Sequence, residues 1–147
     1  MNYISLSDEE TRVIFAGEAL SIFADLDAAQ QEAVIGRLLN IVTNDVPPST
    51  LVYKRIANLD IFAVGDQGRL YTKVVDGIPR GNTEYHLIYL LFIDPYHEYS
   101  HKALAEYSRR AEVLAEDATS LQTVPDVEQY LDDLDALDED DLRELLP

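Results

Sequence analysis

Along the first third of the chain apolar residues return at helical intervals, and along the middle third they come in short, nearly continuous runs. Ser7 precedes Asp8, Glu9 and Glu10, a hydroxyl N-cap with a glutamate at the capping-box position and acids near the positive end of a helix dipole. Val13, Ile14, Leu20, Ile22 and Phe23 then supply an apolar face, so the pattern predicts a first helix ending near Ala24. Asp27 reads as a second N-cap, and Val34, Ile35, Leu38, Leu39, Ile41 and Val42 predict a helix over Ala28–Val42. Residues 44–50, with Pro47 and Pro48, end it and begin a connector.

The middle third is strand-like. Residues 51–56, 60–64, 69–75 and 85–93 are rich in β-branched and aromatic side chains and are separated by turn residues. Segment 59–71 reads as two strands meeting at Gly65-Asp66-Gln67-Gly68, with Arg69 directly after the turn. Residues 76–82 are too many for a tight hairpin and predict a mobile loop, whereas 85–93 is apolar almost throughout, as expected of a central strand covered on both faces. Asp94-Pro95 has the form of an N-cap and first helical position, which predicts a third helix over about 96–118. Beyond Pro125, Val127, Tyr130, Leu131, Leu134 and Leu137 recur at helical spacing inside an acidic tail, and no internal repeat is visible. The expectation is an α+β fold, with two antiparallel N-terminal helices packed on a small, mainly antiparallel sheet of three or four strands. A C-terminal helix follows, giving one domain over residues 1–119 and an acidic tail with helical spacing over 120–147.

Composition narrows the chemistry. The chain has 147 residues, 47% hydrophobic, enough for a core without disulfide or metal staples. It contains no cysteine, which excludes thiol catalysis, thiolate metal sites and disulfides. No run approaches the ~18 apolar residues of a membrane span and no signal pattern is seen, so a soluble cytoplasmic protein without membrane association is expected. The net charge of −17 opposes broad, salt-driven binding to phosphate backbones. Residues 126–147 hold ten acids against Arg143, a net of −9, so the remainder carries −8. With lysine limited to Lys54, Lys73 and Lys102, the composition resembles that of salt-in halophiles, whose acidic surfaces are screened by molar salt.

Two helices, then antiparallel strands around a Gly-Asp-x-Arg-like turn, resemble the RelE/ParE toxin superfamily over about residues 26–99. The resemblance is carried by Asn44 to Pro47 at the end of the second helix, Lys54-Arg55, residues 59–64 entering the turn, Arg69-Leu70-Tyr71, the long apolar strand, and Tyr96, His97 and Tyr99. It implies a toxin–antitoxin protein that cuts messenger RNA on the ribosome, with an antitoxin as partner and no cofactor. Such cleavage needs a 2′-hydroxyl deprotonated, a 5′-oxygen protonated and phosphorane charge neutralised. By resemblance Arg69 holds the scissile phosphate, Lys54, Arg55 and Arg80 meet the RNA backbone, and His97 or Tyr96 acts as general acid or base. Other branches bind DNA gyrase, and a member that kept the fold as a non-catalytic protein-binding module is the alternative. Family toxins are smaller and basic; here the turn has one extra residue, and Asp94-Pro95 stands where the family has an arginine after the last strand.

Each residue also has a plainer reading. Arg69 can pair with Asp66 or another acid, Lys54 and Arg55 can be exposed strand residues, Arg80 a solvated charge, and Arg109 and Arg110 partners of Glu106 and Glu112. His97-Glu98-Tyr99-Ser100-His101 spells H-E-x-x-H, whose histidines share a helix face and can hold zinc for a hydrolase; Glu112, Glu116 and His86 are candidate third ligands. Asp133, Asp135, Asp141 and Glu144 follow part of a calcium-loop spacing, with Leu137 and Asp138 at a ligand and the turn-glycine position. The Leu131, Leu134 and Leu137 stripe suggests a tail that folds back over the basic groove.

Overall fold

A computed structural model describes residues 10–44, 46–80, 83–96 and 101–147, with the backbone alone at 79, 80, 83 and 101–103. The elements in chain order are β1 (Glu10–Phe15), α1 (Gly17–Asp25), α2 (Ala28–Val42), a 3-10 turn (Pro48–Leu51), β2 (Lys54–Ile56), β3 (Leu59–Val64), β4 (Gly68–Arg80), β5 (Thr83–Asp94), α3 (His101–Thr119), α4 (Val124–Asp133) and α5 (Glu139–Glu144). The fold is α+β, built on a five-stranded mixed sheet of order β1-β5-β4-β3-β2. β1 runs parallel to β5, and the remaining neighbours are antiparallel.

The two-helix N-terminal start is corrected: a strand comes first. Residues 11–15 are Thr-Arg-Val-Ile-Phe, and Val13 and Ile14 are both buried, one in each of two cores on opposite faces of the sheet. A strand covered on both sides shows no alternation, and its apolar pair mimics a helical stripe. The proposed cap at Ser7 lies outside the described residues. α2 keeps its expected bounds. Asp27 accepts from the Gln30 backbone N–H at 2.7 Å while the Gln30 side chain accepts from the Asp27 N–H at 3.1 Å, a reciprocal capping box.

Three further expectations change. Residues 76–80 are not a loop, because β4 continues to Arg80 and β5 begins at Thr83. The register moves from Val75↔Leu87 to Ile78↔Tyr85, so β4 carries one extra residue, a bulge at Asp76-Gly77 with Gly77 at φ 78°. The first expected strand shrinks to Lys54–Ile56 because the second proline begins the 3-10 turn. Asp94 closes β5 and does not open a helix: its Oδ1 accepts from the Tyr96 N–H at 3.2 Å, holding a turn. Among the described residues α3 begins at His101.

Helices cover both faces of the sheet. Tyr85, Leu87 and Tyr89 of β5 meet Leu104, Tyr107 and Ala111 of α3 and Val127 and Leu131 of α4. Ile88, Leu90 and Ile93 of the same strand meet Phe23 of α1, Val34, Ile35 and Leu38 of α2, and Leu142 of α5. The acidic C-terminal stretch therefore supplies side chains to both cores. It also closes the outer edge of β1, where Val13 N–H donates to Leu137 O at 2.9 Å and Leu137 N–H donates to Val13 O at 2.7 Å. Among the described residues no helix is long and apolar enough to cross a membrane.

Candidate functional site

The β3–β4 turn places Arg69. Val64 pairs with Gly68 across it, and a Cβ on Gly68 would lie 2.7 Å from the Val64 carbonyl oxygen, so the tight closure requires glycine. Directly across the neighbouring strand pair, Arg69 faces Asp94. Two opposite charges in that register ordinarily pair. Here the guanidinium turns away: Nη1 donates to the Gly68 carbonyl at 2.7 Å, and the group lies over the Tyr53 ring at 4.9 Å from its centroid. Arg69 makes no ion pair with Asp66 or Asp94, and both Arg69 Nε and Asp94 Oδ2 are buried without a hydrogen-bond partner. Asp94 is only 4% exposed. Leaving a buried acceptor unanswered costs about 1–3 kcal/mol, more for a charged one.

These groups line a cleft of about 330 Å³ between the start of α2 and the β3–β4 turn. Leu26, Val34, Val64, Leu70 and Ile93 form its apolar walls, while Gln30, Asp66, Gln67, Arg69 and Asp94 supply its polar atoms. Tyr96 does not line the cleft but is bonded to Gln30 of its wall. It is 59% exposed, and its hydroxyl accepts from Gln30 Nε2 at 3.1 Å. Arg69 thus lines the cleft directly, while Tyr96 is tied to it only through Gln30.

The other basic residues are placed elsewhere. Arg55 donates from Nε to Asp60 Oδ1 at 2.9 Å and from Nη2 to the Ser49 carbonyl at 3.3 Å. Its partner is a 5%-exposed carboxylate that also accepts the Val74 N–H at 2.8 Å, so Arg55 serves the sheet. Lys54 is exposed on the edge strand β2. Arg80 pairs with Thr83 at the opposite end of β4, and the ten strand residues between it and Arg69 put them roughly 35 Å apart. Arg110 pairs with Glu106 at 2.7 Å, as the helical spacing suggested. His97 lies outside the described residues, as does the His101 side chain, and with them the H-E-x-x-H proposal.

Among the described residues no group of three or more His, Asp or Glu side chains is arranged to hold a metal ion. In the tail, Asp138 and Asp141 are committed to the capping box of α5. Leu131 is buried and Leu134 is 36% exposed, and no tail residue lines the Arg69 cleft. A second polar cluster sits at the β4 bulge. His86, 2% exposed, places Nδ1 2.7 Å from Asp76 Oδ1, and that hydrogen bond holds the Asp76 carboxyl below the usual carboxylate range against the opposing effect of burial.

The glycine turn marks the position of Arg69 in the sequence, whereas Tyr53, Gln30 and Asp94 come near it only through the fold. Tyr53 had a local signal, an aromatic residue immediately before Lys54-Arg55. Asp94 stood out only as the residue in place of an expected arginine; that it faces Arg69 is set by strand register. No family model, curated protein or solved structure matches the chain.

Proposed function

We propose that this chain is a RelE/ParE-like protein that works as a non-catalytic protein-binding module, with the Arg69 cleft as its recognition site. One observation carries the choice: the residue beside Arg69, where the resemblance implies an arginine, is a buried aspartate with an unanswered oxygen. A phosphate brought to Arg69 meets Asp94 and Asp66 as well. At about 5 Å and an effective dielectric of ~20, the buried Asp94 carboxylate repels a unit negative charge by about 3 kcal/mol, and the exposed, salt-screened Asp66 adds less. Apolar walls and paired donor and acceptor groups suit a polypeptide side chain better.

The ribonuclease reading is second, favoured by Arg69 lining the cleft and Tyr96 bonded to Gln30 of its wall. Programmed ribosomes incubated with the purified chain in molar KCl, with fragment ends mapped, separate the two. The binding-module reading expects intact messenger RNA. It also expects a tagged wild-type chain to retain a partner that Ala33→Trp depletes at least tenfold, Ala33 being an exposed residue of the cleft wall. Cuts in the ribosomal A site that vanish in Arg69→Ala establish the ribonuclease instead, and equal partner recovery by wild type and Ala33→Trp removes the cleft from recognition.

A further inference from the structure

We infer that the cleft receives an arginine side chain of the partner, with Asp94 as its acceptor; this rests on the binding-module reading. Asp94 is nine-tenths buried and lines the cleft, with Oδ1 engaged by the Tyr96 N–H and Oδ2 unengaged. Its cross-strand neighbour cannot answer it from its present position, because the Arg69 guanidinium is held on Tyr53 and the Gly68 carbonyl. The missing element is therefore a donor entering from the cleft. Asp66 adds a second carboxylate at the exposed rim.

The walls select among donors. Leu26, Val34 and Ile93 offer apolar surface to a methylene stem, and a planar guanidinium presents several N–H groups to carboxylates at once. A compact ammonium is more strongly hydrated and gains less from this shape. With molar salt reducing the screening length to about 3 Å, charge selects only at contact, where Asp94 and Asp66 accept a basic side chain and oppose an acidic one. Arg69 opposes the incoming charge and, parked on the Tyr53 face, leaves Asp94 free to accept it.

The test uses the full ¹⁵N-labelled chain in 1 M KCl and three probes: the capped tripeptide Leu-Arg-Leu, the same peptide with neutral citrulline for arginine, and inorganic phosphate. The arginine peptide should shift the amide signals of Gly68, Arg69 and Asp94 and bind at least tenfold more tightly than its citrulline counterpart. Asp94→Asn should abolish that preference, while Arg69→Ala should preserve or increase it. Should Asp94→Asn fail to fold, Ala33→Trp must abolish the preference. Equal binding of the two peptides, or shifts produced by phosphate and not by the arginine peptide, overturns the inference. Partner loss in Ala33→Trp together with equal peptide binding removes only the arginine anchor, whereas cleavage of messenger RNA removes the reading beneath it.

Discussion

Leu142→Ala tests whether the acidic C-terminal stretch belongs to the folded unit. Leu142 is fully buried in the core formed with α1 and α2, although α5 is only six residues long. The substitution removes three carbons, which at about 0.8 kcal/mol each is worth about 2.4 kcal/mol in transfer alone. A cavity that does not collapse raises the loss to about 3 kcal/mol. With a urea m-value of about 2 kcal/mol/M, the denaturation midpoint falls by about 1.5 M. Heating shows the same loss as a Tm lowered by roughly 6–12 °C. Urea is the suitable denaturant because it leaves ionic strength constant at fixed molar KCl. Leu134→Ala, at 36% exposed, is the matched control and should cost less than about 1 kcal/mol. A loss below about 0.5 kcal/mol for Leu142→Ala, equal to that of the control, would mean that α5 adds nothing to the cooperative unit, and the two-core description would be wrong.

Other perturbations probe the sheet and its turns. Gly68→Ala puts a Cβ against the Val64 backbone and should cost about 1–3 kcal/mol in the same urea assay, with the Arg69 amide signal displaced. Arg55→Ala leaves the buried Asp60 without its guanidinium; since Arg55 is 60% exposed and solvent replaces part of the bond, a loss of about 1–2 kcal/mol is expected, with partner retention unchanged. Asp76 has a folded-state pKa below its unfolded value, so its contribution is full above about pH 4 and is lost as the pH falls through the folded value. Asp76→Asn should lower stability at neutral pH and flatten the acid limb below about pH 4 in urea titrations; an acid limb identical to wild type would contradict the His86 contact.

Elements with local determinants were legible. α2 was readable because its cap and its apolar spacing both lie within the segment itself. β1 was not, since Val13 and Ile14 are adjacent yet enter opposite cores, and two covered faces erase the period that distinguishes strand from helix. Asp76-Gly77 carried loop chemistry, but the same residues serve a bulge when a partner strand continues beside them. Asp94-Pro95 had the form of a helix start, and its aspartate instead holds the turn after β5. The cleft was half legible. Glycines announced the turn and therefore Arg69, whereas the opposition of Asp94 follows from a β4–β5 hairpin register already set at Arg80↔Thr83, the two intervening shifts cancelling, and loop chemistry at Asp76-Gly77 hid that hairpin.

The closure of β1 by Leu137 has a kinetic consequence. Val13 and Leu137 lie 124 positions apart in sequence (137 − 13), and β1 also waits for β5 as its parallel neighbour. During synthesis the outer edge of β1 stays unpaired at Val13 until the chain through Leu137 has followed. Such non-local pairing slows folding and leaves an open strand edge able to capture another chain. The two backbone hydrogen bonds at Val13 therefore set when the molecule becomes safe from its neighbours as well as how stable it finally is.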